Sequence, residues 1–396
     1  MRQPLPESRA GSTEMWRQWL EKRLAQQRGD GLWRERLTMS PSPSARLRDF
    51  ASNDYLGLAG DPRLAEAQAR AARQYGIGSR ASHLVNGHYD IHDRLEARLA
   101  ELTGRPRALL FSTGYMANLG VLQALCDSST RIFQDRYNHA SLLDGAALSG
   151  ARSRRFHHSA LEDLALLLSR APQDSLKLVA SDGVFSMDGD RANIDGLTAL
   201  CQRYEAALMI DDAHGLGVLG KNGDGCVGQR YSTQEVPILV GTLGKALGTA
   251  GAFVAGESLL IDTLIQFARP YLYTTAQPPG ITAATLTALD ILHDEPERRE
   301  RLHHHIAYFR HHGDELGLPL MNSDTPIQPL LLGDVERVIR WSDILRSQGF
   351  MIGAIREPTV PHGMARLRIA LSASHTRDDI DALLDTLGEL IKRERS

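Results

Sequence analysis

The stretch Val240-Gly241-Thr242-Leu243-Gly244-Lys245-Ala246-Leu247-Gly248 ends an apolar run with a single lysine among small residues. The preceding Ile238–Val240 predicts a buried strand, so we expect the Lys245 amine to be partly buried. Burial lowers the pKa of an amine and favours its neutral, nucleophilic form. Thr242 adds a hydroxyl three residues before the lysine. The pattern therefore indicates a reactive lysine at the end of a strand.

A second apolar run, Leu208–Ile210, leads into Asp211-Asp212-Ala213-His214-Gly215. An acid at the exit of a buried strand is costly unless it has a partner. Because side chains alternate along a strand, only one of the two acids points to a given face, and Asp212 competes with our choice, Asp211. A lysine, an acid and a histidine at the mouths of two strands are what a pyridoxal phosphate (PLP) site requires. Lys245 would form the Schiff base, Asp211 would hold the pyridinium nitrogen protonated, and His214 would hydrogen-bond the phenolic oxygen.

Apolar strands and helical patterns alternate around these two runs, from about residue 60 to 255. This alternation predicts an α/β fold with a mostly parallel central sheet, whose ligands collect at the carboxyl ends of the strands. Ile91, Leu95, Leu99 and Leu102 recur at helical spacing, and Gly104 ends that helix. The predicted strands are Ala108–Phe111, Arg131–Gln134, Leu176–Ala180, Leu208–Ile210, Ile238–Val240 and Ala252–Ala255.

The pattern changes after about residue 285, which predicts a smaller C-terminal α+β domain. Its last helix carries an apolar face from Ile380 to Ile391, and Thr376 with Asp379 resembles a capping pair. At the other end, residues 1–13 are predicted to be loose, and residues 14–28 an amphipathic helix with Met15, Trp16, Trp19, Leu20 and Leu24 on one stripe. A Pro/Ser linker follows at Ser40–Ser44, and Phe50–Leu58 reads as a short strand that runs into a turn. We therefore divide the chain into an N-terminal helix and linker (1–55), a PLP-binding large domain (56–285) and the C-terminal domain (286–396).

The composition excludes several classes of protein. The 396 residues carry a net charge of −3, which argues against a nucleic-acid partner. Cys126, Cys201 and Cys226 are too few and too scattered for a disulfide framework or a zinc site. No apolar run approaches the roughly 20 residues that span a bilayer, and Met1–Gly11 lacks a signal-peptide core, so we expect a cytoplasmic protein without a membrane partner. The histidines at 303–305 and 311–312 are interpreted as a solvated helix face, so no metal site is predicted.

Three loops that follow predicted strands add further candidates. Gly114 and Tyr115 begin a helix after the strand that ends at Phe111, and a helix N-terminus is a natural phosphate site. His139 either stacks flat on the cofactor ring or is incidental in a loop that Asn138 or Ser141 caps. Ser186 lies in the polar, Gly-rich loop 181–190 and is able to reach the cofactor, whereas the acids of that loop are equally well explained as turn residues.

Taken together, the motifs resemble those of the α-oxoamine synthases, PLP enzymes with a type I transferase fold. The resemblance spans roughly residues 20 to 390. It lies in Ser52–Leu58, Gly76–Ser79, Asp135–Ser141, Gly183–Asp190, Asp211–Gly215 and Thr242–Lys245. One departure is Arg80, which stands where the family commonly has glycine.

The resemblance implies a role for each matching residue. Lys245, Asp211 and His214 keep the roles given above, and His139 stacks on the ring. Gly114, Tyr115, Ser186 and Thr242 serve the cofactor, while Thr274 reaches the phosphate of the neighbouring subunit in a homodimer with shared sites. The substrate residues are Arg368, which clamps the amino-acid carboxylate, together with Asn53, Thr359 and an N-terminal arginine assigned to Arg34.

The resemblance also implies a reaction, the decarboxylative condensation of L-alanine with a pimeloyl thioester of coenzyme A or of acyl carrier protein. The run Pro358–Arg368 favours this branch of the family, which serves biotin biosynthesis. The alternative is a sister enzyme that uses glycine, of the glycine C-acetyltransferase or 5-aminolevulinate synthase type. A non-catalytic subunit is disfavoured by the intact Lys245, Asp211 and His214. A PLP-sensing transcription regulator is disfavoured because only about 50 residues precede the core, too few for a DNA-binding domain.

Overall fold

A computed structural model describes residues 9–39 and 47–395 of the chain. The predicted linker Ser40–Ser44 lies outside these residues. The first helix, α1 (Arg9–Gly29), confirms the helix predicted at 14–28. It begins earlier than expected, so the prediction of a loose segment is wrong for residues 9–13, and residues 1–8 lie outside the described part.

The N-terminal two-thirds of the chain alternates between strands and helices. In chain order these are β1 (Arg48–Asp49), α2 (Pro62–Tyr75), α3 (Asp90–Thr103), β2 (Arg107–Phe111), α4 (Gly114–Leu125), β3 (Arg131–Asp135), α5 (Ala140–Ser149), β4 (Arg152–Phe156), α6 (Leu161–Ser169), β5 (Lys177–Asp182), α7 (Ile194–Arg203), β6 (Ala207–Asp211), β7 (Ile238–Thr242), β8 (Ala252–Gly256), α8 (Ser258–Phe267), α9 (Arg269–Leu272) and α10 (Pro279–Asp294).

Seven of these strands form one sheet in the order β2-β8-β7-β6-β5-β3-β4. The neighbours from β7 through β4 are parallel, and β8 is antiparallel to both β7 and β2. Nearly all side chains of β5 to β8 are buried, because helices cover both faces of the sheet. The predicted α/β fold with a mostly parallel central sheet is confirmed.

The sequence missed β4 because its residues, Arg152-Ser-Arg-Arg-Phe156, carry no apolar run. The strand lies at the edge of the sheet, with four of its five residues exposed. Charged side chains on an edge strand discourage pairing with another chain. The pattern that betrays a buried strand is therefore absent here for a physical reason.

The C-terminal part contains α11 (Glu297–Glu315), β9 (Ile327–Gly333), α12 (Val335–Ser347), β10 (Phe350–Met351), β11 (Gly353–Ile355), β12 (Ala365–Ala370) and α13 (Arg377–Arg395). Strands β11, β12 and β9 form a separate antiparallel sheet, and β1 pairs with β10. Position 285 lies inside α10, which packs against α2 and α3. The division of the chain at 55 and 285 stays a prediction.

Two local expectations have different outcomes. Gly104 ends α3 in the left-handed region, with a φ of 64°, as the sequence predicted. The strand expected within Phe50–Leu58 is wrong, because β1 covers only Arg48–Asp49 and turns follow it. Arg80 adopts a φ of 69°, so the backbone keeps a conformation that glycine adopts most easily although the side chain differs.

Among the helices that the structure describes, none combines the length and the apolar character needed to cross a membrane.

Candidate active site

A cavity of about 190 Å³ opens at the carboxyl ends of the central strands. The hydrogen-bonded register places Asp182 of β5 beside Asp211 of β6, and Asp211 beside Val240 of β7. The residues that line the cavity are Gly114, Tyr115, Asn118, His139, Ser141, Asp182, Val184, Ser186, Asp211, Ala213, His214, Thr242 and Lys245. The structure therefore brings eight of the predicted cofactor residues together in one cavity.

Lys245 lies in the turn after β7, with its amine inside this cavity. Its Nζ is 2.8 Å from Nε2 of His214. Burial lowers the pKa of Lys245 to about 8, while the carboxylates of Asp211 and Asp182 oppose the decrease. A substantial fraction of this amine is therefore neutral near physiological pH, as the sequence predicted for a reactive lysine.

The side chains of Asp211 and Asp212 point to opposite sides, as expected from the alternation of side chains along a strand. The Asp211 carboxylate lines the cavity, where it accepts hydrogen bonds from Nδ2 of Asn118 at 2.6 Å and from the backbone N–H of Ala213 at 3.1 Å. Asp212 points away and accepts from the backbone N–H of Cys226 at 2.7 Å. Of these two neighbouring acids, Asp211 is the one that lines the cavity.

The N-terminus of α4 supplies backbone N–H groups at one end of the cavity. Thr113 caps the helix by accepting from the N–H of Met116, and a Cβ built on Gly114 would meet open space. The Tyr115 hydroxyl donates to Asp144 across the cavity mouth. Thr242 accepts from the N–H of Gly244. This end has the donors that a phosphate group requires.

His139 lines the cavity and is also the N-cap of α5, because its Nδ1 accepts from the backbone N–H of Ser141. The alternative in which Asn138 or Ser141 caps the helix is therefore wrong. Asn138 instead bridges two strand ends, donating to the carbonyl of Ala180 and accepting from the N–H of Asp182. The ring of His139 lies 6.5 Å from that of Tyr115 in an edge-on arrangement.

The sequence offered Asp182 only as a possible turn residue, and gave Asn118 no role. Asp182 accepts from the backbone N–H of His139, and burial together with Asp211 raises its pKa well above the usual value. Asn118 joins Asp211 to Ser141, whose hydroxyl lies 2.7 Å from His139 Nδ1. The available signals are that Asp182 ends β5 and that Asn118 lies one turn after the start of α4.

Arg368 of β12 lies beside the cavity rather than in its wall. It is 6% exposed, and it donates to the carbonyl of Ser186 at 2.6 Å and to Oδ1 of Asn53 at 3.0 Å. The same oxygen of Asn53 accepts from the hydroxyl of Tyr55, which contacts His214. Two of the predicted substrate residues are thus linked to the cofactor cavity through a tyrosine that the sequence did not single out.

The other predicted substrate residues lie elsewhere. Arg34 and Thr359 line a second cavity of about 360 Å³, between the segment after α1 and the loop after β11. The structure therefore brings these two together but separates them from Lys245. Thr274 follows α9 and is absent from the described walls of the first cavity. Its predicted role toward a neighbouring subunit stays a prediction.

The residues of the first cavity fit PLP. Oδ1 of Asn118 and Oδ1 of Asp182 are buried in its wall and have no hydrogen-bond partner among the described residues, as polar atoms beside a ligand site would. The cofactor needs an amine that is partly neutral, an acid, a flat imidazole and a helix N-terminus, and this cavity has all four groups. Fold and site together define a PLP-dependent enzyme of fold type I.

Comparison with known proteins identifies the family of this chain. The sequence model of aminotransferase class I and II matches residues 46–387. A protein of Chromohalobacter salexigens named 8-amino-7-oxononanoate synthase is 66% identical over 96% of this chain and 98% of its own length. One of the same name from Stutzerimonas stutzeri is 52% identical, with coverage of 93% and 96%.

Solved structures agree. The 8-amino-7-oxononanoate synthase of Francisella tularensis has a TM-score of 0.77 at 34% identity and covers 88% of this chain and 99% of its own. Serine palmitoyltransferase of S. paucimobilis, with PLP bound, has a TM-score of 0.84 at 30% identity and covers 87% of each chain. The chain belongs to the aminotransferase class I and II family and, within it, to the 8-amino-7-oxononanoate synthases.

Proposed function

We propose that the protein condenses L-alanine with a pimeloyl thioester, releasing CO2 and the thiol, and so forms 8-amino-7-oxononanoate. The observation that carries this proposal is the 66% identity to a protein of that name over nearly the full length of both chains. The cavity supports it, because Lys245, Asp211 and His214 lie together at the strand ends. The glycine-using alternative has no such relative among those described above.

PLP, when bound through Lys245, supplies an electron sink for the negative charge that forms at the amino-acid Cα. The protein's own residues do the rest. Arg368 holds the substrate carboxylate as a bidentate donor, with Asn53 beside it. Lys245 removes the Cα proton, a task that suits its pKa of about 8 because the free base is then accessible near neutral pH. Asp211 would face the ring nitrogen and keep it protonated.

The remaining residues bind the cofactor and the acyl substrate. Gly114, Tyr115 and Thr242 would hold the phosphate at the α4 N-terminus. Ser186 and His139 line the walls, and the imidazole of His139 would stack on the ring. Arg34 and Thr359 bind the acyl substrate in the second cavity.

Product analysis tests the reaction. Purified protein is incubated with L-alanine or glycine, each with the pimeloyl or acetyl thioester of coenzyme A and of acyl carrier protein, and the products are identified by mass spectrometry. We expect 8-amino-7-oxononanoate from alanine and a pimeloyl thioester alone, and none from the Lys245→Ala variant. Formation of the glycine product as the main species would reject this proposal in favour of the alternative.

We also propose a cytoplasmic homodimer in which Thr274 serves the partner's phosphate site. Helix α1 supports the assembly, because its predicted apolar stripe is exposed in the single chain: Met15 68%, Trp16 64%, Trp19 47%, Leu20 51% and Leu24 48%. A contiguous apolar stripe of this kind is typical of an interface.

Charge on this stripe tests the assembly. The double variant Trp16→Glu/Leu20→Glu removes apolar area and adds like charges, so we expect at least about a tenfold weaker dimer. Sedimentation analysis over a range of concentrations gives the dissociation constant. The control is Ala25→Glu, which adds the same charge at an exposed residue on the opposite side of α1. Equal association by both variants and the unmodified protein would show that α1 does not form the interface.

A further inference from the structure

A continuous line of hydrogen bonds runs from the reactive lysine to the β12 arginine. Lys245 Nζ lies 2.8 Å from Nε2 of His214, and Nδ1 of the same imidazole lies 2.7 Å from the Tyr55 hydroxyl. The hydroxyl lies 3.1 Å from Oδ1 of Asn53, which lies 3.0 Å from Nη2 of Arg368. Tyr55, at the centre of this line, is fully buried.

Arg368, at one end of this line, determines which atom donates in each hydrogen bond. A guanidinium has only donors, so Asn53 must present its amide oxygen to Arg368. The single hydrogen of Tyr55 is then donated to that same oxygen, which leaves the phenolic oxygen as an acceptor. The acceptor faces Nδ1 of His214, and this nitrogen therefore carries the imidazole hydrogen. Nε2 is left with a lone pair that faces the Lys245 amine.

The charge states of the groups agree with this direction. Burial raises the pKa of Tyr55, so the phenol keeps the hydrogen that it donates. Burial, and then the nearby Lys245, Arg368 and His139, lower the pKa of His214 well below its usual value. These three and Tyr55 are the titratable groups that face the imidazole. His214 is therefore neutral, and a neutral imidazole has one donor and one acceptor nitrogen.

We propose that Tyr55 is a positioning residue that holds His214 in the Nδ1–H tautomer, so that Nε2 accepts a hydrogen bond from the Lys245 nitrogen. Arg368 sets this tautomer through Asn53 and Tyr55. The catalytic role of this arrangement rests on the function proposed above, in which Arg368 binds the substrate carboxylate. A substrate carboxylate bound to the remaining N–H groups of Arg368 shares the guanidinium with Asn53, which links substrate binding to the lysine.

Removing the hydroxyl oxygen of Tyr55 tests the proposal. In Tyr55→Phe the Nδ1–H loses its acceptor, Nε2 becomes a weaker acceptor, and the protonated Lys245 nitrogen is less stabilised. We expect the pH midpoint of the rate at which the apo-protein captures PLP, followed by stopped-flow absorbance, to fall by about half to one unit. We also expect kcat to fall more than KM changes.

The matched control is Tyr231→Phe. This tyrosine is also buried, and its hydroxyl donates to Asp195 at 2.6 Å in a different core cluster. We expect no shift of the midpoint in this variant. Asn53→Ala frees the Tyr55 hydrogen, which Nδ1 of His214 is then able to accept, so the midpoint should shift in the same direction. This variant also keeps the test open if Tyr55→Phe does not fold.

Midpoints for Tyr55→Phe and Asn53→Ala that equal the Tyr231→Phe value would overturn the proposal. The result is separable from the proposed function, since the titration contains neither alanine nor thioester. A shifted midpoint in a protein that makes no 8-amino-7-oxononanoate would reject the function and retain the role of Tyr55.

Discussion

Three buried acids stand at the ends of neighbouring strands, and their hydrogen bonds give them different tasks. Asp211 accepts from Asn118 and Ala213 and faces the cavity. Asp212 is turned toward the backbone of Cys226, and burial raises its pKa to about 7. Asp182 supports the backbone of His139. Only a carboxylate that faces the ring is able to hold a pyridinium nitrogen protonated.

Single substitutions of Asp211 and Asp212 distinguish the roles of these two neighbouring acids. Asp211→Asn removes the charge opposite the ring, and we expect kcat to fall by about a hundredfold or more with little change in melting temperature. Asp212→Asn keeps an oxygen acceptor for the Cys226 N–H, so we expect a stability loss of about 1 kcal/mol with kcat nearly unchanged. Steady-state kinetics and thermal melting measure both, and the reverse outcome would make Asp212 the ring partner.

The pKa of Lys245 predicts how the rate of cofactor capture depends on pH. Only the neutral amine attacks an aldehyde, and burial lowers this pKa to about 8. Below pH 8 the ammonium form predominates, so the rate should rise about tenfold per pH unit and level off above 8. Stopped-flow absorbance of the apo-protein mixed with PLP measures it. A rate that continues to rise toward pH 10 would mean that the amine is not desolvated.

At the scale of elements, helix ends position the site and stabilise the fold. His139 begins α5 and Thr113 begins α4, so two cavity walls are helix N-termini. The predicted capping pair of α13 is also present: Thr376 Oγ1 accepts from the N–H of Asp379, whose Oδ2 accepts from the N–H of Thr376. These reciprocal bonds satisfy donors that the first helical turn leaves free.

The contribution of this cap is measurable. Thr376→Ala removes one side of the pair, and we expect the free energy of unfolding to fall by about 1 kcal/mol. The control is Thr386→Ala in the middle of α13, where the threonine hydroxyl only donates back to the carbonyl of Ala382. Alanine is the better helix former there, so urea denaturation should show no loss. Equal losses in the two variants would argue against a capping effect.

At the scale of the whole molecule, buried arginines of β12 join the small sheet to the loop after β5. Arg366 is fully buried and donates to Asp188 Oδ1 at 2.7 Å and to the carbonyl of Met187 at 3.1 Å. Arg368 reaches Ser186 in the same loop. These contacts connect strands that are about 180 positions apart in the sequence.

Breaking this buried ion pair should be costly. Asp188→Asn leaves the Arg366 guanidinium without its anion, and we expect a loss of about 3 kcal/mol or more in stability. The control is Asp262→Asn, which breaks an exposed pair with Arg107 whose side chains are 63% and 40% accessible. That change should cost less than about 1 kcal/mol. Urea denaturation compares them, and similar costs would mean that Asp188 is not the partner that stabilises Arg366.

Short-range patterns in the chain are enough to locate most of the central sheet and the reactive groups at its edge. Apolar runs located β2, β3 and β5 to β8, helical spacing and a glycine located α3, and the lysine, the acid and the histidine lie at strand ends where parallel strands must collect them. The arginine-rich β4 was missed because an edge strand needs no apolar pattern.

Which distant side chains meet is visible in the folded chain and not in its local patterns. Tyr55 and His214 are 159 positions apart, and nothing local to either predicts their hydrogen bond. The same holds for Asp182 beside Asp211, and for Arg34 and Thr359, which lie in their own cavity. Local sequence sets φ, ψ and the buried face of each element. Contacts between elements follow from packing the whole chain into one core, and that packing placed Tyr55 between the lysine and the arginine.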